Sequence, residues 1–204
     1  MTGTLARSFW RFSLRSYRDP AVRAACLSLQ DDCGADVNLL LYCCWHARRG
    51  RRLEARELRS AIAAVANWQE RVVLPLRAAR RGLSGRAASV AQTERAVLRK
   101  RAGALELAAE RIENGILAAH AQGLRAACAR VVPRGAAIDN LRSYLTQIGA
   151  ASGGVNAARV ESMVLVSTPA PAPKTKTKTK TKPRSSRSSS RPVSARRRGG
   201  ARAG

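Results

Sequence analysis

Lysine is nearly missing from most of this 204-residue chain: Lys100 is the only one before residue 174. Acidic residues are scarce as well, 13 against 38 basic, and none follows Glu161, so the formal net charge is +25. Only eight aromatic residues are present and none lies beyond residue 167, which excludes a packed core there. The longest apolar run, Leu39 to Trp45, is seven residues, far short of the about twenty that a membrane-spanning helix needs. Histidine occurs twice, at 46 and 120, and no C-x2-C or H-x3-H pair accompanies Cys43, Cys44 and His46, so no metal site is expected. Cys26, Cys33, Cys43, Cys44 and Cys128 are odd in number and lack a disulfide framework, which points to a reducing, cytoplasmic setting. Gly82-Leu83-Ser84-Gly85 lacks the Lys-Ser/Thr continuation of a phosphate-binding loop, and no cofactor is implied.

What is abundant is arginine, alanine and helical periodicity. Residues 1–167 hold 26 basic and 13 acidic residues, a net +13 spread over the surface. Leu5, Phe9, Trp10, Phe12, Leu14 and Tyr17 cover one face of a first helix, while Arg7, Arg11, Arg15 and Arg18 fall in an opposite stripe. That pattern predicts a core-facing helix, although an interfacial membrane helix has the same design. Asp19-Pro20 supplies an N-cap and a first-turn proline for a second helix that closes at Gly34. Asp36 caps a third, Val37 to Arg49, apolar nearly all round and so expected at the centre, with Trp10, Trp45 and Trp68 in the core. A further helix begins after Glu54, with a kink or break expected just before Pro75. A long surface or hairpin helix runs through Val90 to Ala119, and a clear one spans Ile138 to Ile148. Met163 to Val166 reads as a short β-prone stretch. The expectation is an all-α bundle of five to six helices over residues 1–150, a linker over 151–173, and a disordered basic segment over 174–204.

Three stretches carry a family resemblance: Phe9-Trp10-Arg11-Phe12-Ser13, Ala25 to Asp31 continuing through Gly34 to Leu41, and Trp68 with Val72-Val73-Leu74-Pro75-Leu76-Arg77. On these the chain resembles a family of small proteobacterial proteins of unknown function, over about residues 8 to 120 and more loosely to about 150. The resemblance implies a bacterial source and a helical body. It carries no activity over to this chain.

Candidate sites are few. Gln30, Asp31, Asp32, Asp36 and Asn38 form the densest polar group, between two apolar helices. Their structural reading is a cap at Asp36, a loop carbonyl bonded by Asn38, and an ion pair from Asp31 to Arg15, Arg18 or Arg77. The functional alternative is a small-ligand, metal or enzymatic site with Asp31, Asp36 and Asn38 as oxygen ligands, although three oxygens without a rigid loop pattern are weak evidence for one. The other candidate is the C-terminal run: Lys174, Lys176, Lys178, Lys180 and Lys182 alternate with threonine, and Arg184, Arg187, Arg191, Arg196, Arg197, Arg198 and Arg202 follow. Acid-free charge of this kind engages phosphates without reading bases. The expected protein is therefore a non-enzymatic accessory bound to nucleic acid through these cations, with an unidentified protein partner for the body; an anionic membrane surface is the alternative target.

Overall fold

Asp19 turns the chain as its position before proline requires, and the computed structural model shows how; residues 3–84, 91–124, 131–150 and 153–168 are described. The Asp19 side chain accepts from Ala21 N at 2.9 Å and Val22 N at 3.3 Å, ending α1 (Thr4–Arg18) and capping α2 (Pro20–Cys33). Gly34 then takes φ +66, the left-handed conformation that glycine enters without steric cost, and α3 (Val37–Arg48) starts three residues later. Next come α4 (Ala55–Trp68), a π-helical turn (Gln69–Val73) and α5 (Leu74–Gly82), one continuous rod. α6 (Gln92–Gly123), α7 (Pro133–Gln147) and α8 (Gly154–Ser167) complete seven continuous helices among the described residues, with no strand there.

α3 is the hub. Every residue from Asn38 to Ala47 is buried, as an all-round apolar helix requires, with α7, α1 and α8 packed on it. His46 is buried there too, its ring edge-on to Tyr42 at 4.4 Å and to Trp45 at 4.9 Å between centroids. Its Nε2 has no hydrogen-bond partner among the described residues, and burial with the Arg51 and Arg49 charges lowers its pKa to about 3. Asn140 of α7 fastens the connection after α3, accepting from Leu53 N at 2.8 Å and donating to Cys43 O at 3.1 Å and Arg51 O at 3.2 Å. α6 crosses α1, α4, α5 and the π turn on the other side.

Three expectations change. The segment expected as a linker holds α8, and Met163 to Val166 is helical instead of β-prone. The reason is packing: Val160, Met163 and Val164 share one helical face and are buried against α2, with Met163 Sδ 4.0 Å from Cys26 Sγ. Trp10 and Trp68 are only partly buried, and of the three tryptophans Trp45 alone lies fully in the core. Just before Pro75, where the sequence places a kink or break, the helix continues but is irregular: Leu74 N bonds Gln69 O in the wider π register.

Candidate functional site

A polar network threads the interior where α1, α3, the π turn and α6 meet. Asp36 caps α3 through Oδ1, which accepts from Asn38 N at 2.7 Å and Leu39 N at 3.4 Å. Its Oδ2 accepts from Gln69 Nε2 at 2.6 Å, and the same amide donates to Glu113 Oε1 at 2.9 Å. Asn38 Nδ2 donates to Glu113 Oε2 at 2.8 Å, Asn114 Nδ2 to Asn38 Oδ1 at 2.6 Å, and Ser13 Oγ to Asn114 Oδ1 at 3.2 Å. Glu113 and Asn114 are wholly inaccessible. Burial, and then the Asp36 carboxylate beside it, holds the Glu113 carboxyl protonated far above the usual range. Tyr144 closes the network, its hydroxyl accepting from Asp36 N at 2.7 Å.

Next to this network lies an ion-pair group. Arg77 donates through Nε to Glu106 at 2.9 Å and through Nη2 to Glu110 at 3.0 Å. Arg80 Nη2 reaches Glu106 Oε1 at 3.3 Å, and Arg80 Nε bonds Glu106 Oε2. Burial pushes Glu106 up, but hydrogen bonds from Arg80 and Arg77 outweigh it and leave the carboxyl below its ordinary value. Glu110 has weaker compensation, so burial holds it above its ordinary value.

Two cavities flank these groups. The first, about 240 Å³, is lined by Trp10, Tyr17, Asn38, Arg80 and Glu110 among others. The second, about 310 Å³, is lined by Asp31, Asp36, Gln69, Arg81 and Tyr144 among others. Gln30 and Arg77 line both. The predicted polar group is thus divided: Asp31 and Asp36 face one cavity, Asn38 the other, and Gln30 stands between. Two partner assignments are corrected. Asp31 pairs with Arg81 at 2.5 Å instead of Arg15, Arg18 or Arg77, because α5 brings Arg81 to the end of α2; its carboxyl falls below the ordinary value, chiefly through that hydrogen bond. Asn38 meets no loop carbonyl among the described residues: its side-chain donor goes to Glu113 and, at 3.4 Å, to Glu110 O inside α6. The C-terminal cations from Lys174 to Arg202 lie outside the described residues.

Sequence reasoning missed Glu106, Glu110, Glu113 and Asn114. Their spacing of three to four residues was the available signal, a polar stripe along an Ala-rich helix that also fits a wet surface. Burial pushes the Cys26 and Cys43 thiols well above their ordinary value and Cys44 to about 12, so thiolate is scarce there at neutral pH. Among the described residues, no group of three His, Cys, Asp or Glu side chains is placed to hold a metal ion.

A helical body built around a buried polar network, with no described helix long and apolar enough to cross a membrane, defines the class: an all-α domain of unknown function. The family model described as "Protein of unknown function (DUF2390)" matches residues 8–117, more than half of the chain, and the chain belongs to that family. No curated protein and no solved structure matches it.

Proposed function

We propose that the protein is a non-enzymatic helical accessory that binds nucleic acid, without base preference, through its C-terminal cations. One observation carries the reading: residues 168–204 hold five Lys and seven Arg and no carboxylate. Cations spaced two apart in extended chain stand about 6.6–7.2 Å from one another, so each can approach a different phosphate. The body supports the same partner. Arg7, Arg11, Arg15 and Arg18 are exposed along the back of α1 and enter no ion pair among the described residues. Phe9 and Phe12 of that helix are spent in the core, which leaves little apolar face for a bilayer and favours nucleic acid over lipid.

Gel-shift titrations of duplex DNA with the full chain and with a truncation ending at Pro171, at several salt concentrations, test this. With about six phosphates engaged, log K falls with log salt at a slope near −5, and truncation removes most of that slope. A complex indifferent to salt, or one that survives truncation unchanged, overturns the reading. Capture by anionic vesicles under salt that releases the duplex transfers the cations to a membrane role.

A further inference from the structure

The wall of the first cavity has hydrogen-bond donors to spare. A guanidinium carries five N–H groups, and among the described residues the bonds from Arg77 and Arg80 use only Nε and Nη2 of each. The Tyr17 hydroxyl, close enough to feel the charges of Arg77, Arg80 and Glu110, makes no hydrogen bond to a described residue. Glu106 receives both arginines, and Glu110 receives Arg77 at one oxygen. An anion entering the cavity meets these unused N–H and O–H groups. Trp10, Leu14, Leu27 and Leu107 supply the apolar part of the same lining.

We propose that this cavity binds a small amphipathic carboxylate, of about ten heavy atoms with a ring or branched hydrocarbon body, its carboxylate held by Arg77, Arg80 and the Tyr17 hydroxyl. The two oxygens of a carboxylate match a guanidinium fork, and the volume of about 240 Å³ suits such a body. Arg77, with a side chain only 9% exposed, is the fixed anchor, and Arg80, at 32%, forms the mouth. Burial raises the pKa of the Glu110 carboxyl above its ordinary value. The inference stands apart from the C-terminal cations.

Calorimetric titration of the full chain with 3-phenylpropionate, its neutral amide and inorganic phosphate tests it. The carboxylate should bind saturably at one site, with the amide and phosphate each at least about tenfold weaker. Arg80→Gln should weaken the carboxylate about tenfold and Tyr17→Phe about threefold. Glu110→Gln should tighten it severalfold, an effect that loss of structure would not produce. A chain ending at Pro171 should keep full affinity. Absence of saturation, equal affinity for acid and amide, phosphate binding as tightly as the acid, or affinity that follows the truncation and ignores Arg80 and Tyr17 overturns the proposal; Tyr17→Phe decides the matter should Arg80→Gln fail to fold.

Discussion

Glu113 is the carboxyl whose proton the fold controls most strongly. Its pKa when folded lies above the unfolded value, so folding takes up a proton, and its contribution to stability declines as pH rises above the ordinary carboxyl range. Glu113→Gln removes that dependence whatever its absolute stability. Urea unfolding of both proteins should show the variant gaining on the parent by about 1.4 kcal/mol per pH unit between about pH 5 and 8. Parallel curves would show that the buried carboxyl is ionised. Asp36→Ala removes a helix cap and an acceptor for Gln69 together, and a loss of about 1–3 kcal/mol is expected in the same assay. Asp36 was legible in the sequence because capping is local: an Asp after a glycine break and before an apolar run has few other uses. Glu113 was not, because its meaning comes from Asn38 and Gln69, 75 and 44 positions away.

At the level of elements, the sequence announced most helix ends through Asp19-Pro20, Gly34, Asp36 and Gly50, whose conformational preferences act within one turn. What it did not announce depends on neighbours. Pro75 requires some accommodation, but whether a kink, a break or a wider turn results depends on what packs around residues 69–73; here the wider turn carries Gln69, which reaches Asp36 and Glu113. The valine-rich α8 has weak intrinsic helical preference and begins at a Gly153-Gly154 pair, so its burial against α2, α7 and α3 makes it a helix. Met163→Ala tests that dependence. With Met163 fully buried, the substitution should cost about 2–5 kcal/mol and lower the thermal midpoint of the whole body. A change confined to local fraying would make α8 an accessory instead of a part of the core.

For the whole molecule, charge matters more than any single pair. The exposed bridges, Arg52–Asp139 and Arg56–Glu54 among them, are each worth little, while residues 1–167 carry a net +13 that repels itself. Raising salt from about 0.01 M to about 0.3 M should therefore raise the thermal midpoint, since screening relieves more repulsion than the surface bridges lose. A falling midpoint would mean that exposed bridges hold the bundle together.

His46 sets a limit on the acidic side. Its pKa, about 3 when folded, lies below the usual 6.5, so its contribution is complete in neutral solution and is lost as pH falls from about 6.5 toward 3, at up to about 1.4 kcal/mol per unit. The imidazole stands on the hub helix between Tyr42 and Trp45, where a new charge has no water to meet. Acid would therefore attack the bundle from the inside out, and its collapse in sour media should be abrupt, without a preceding stage of loosened ends.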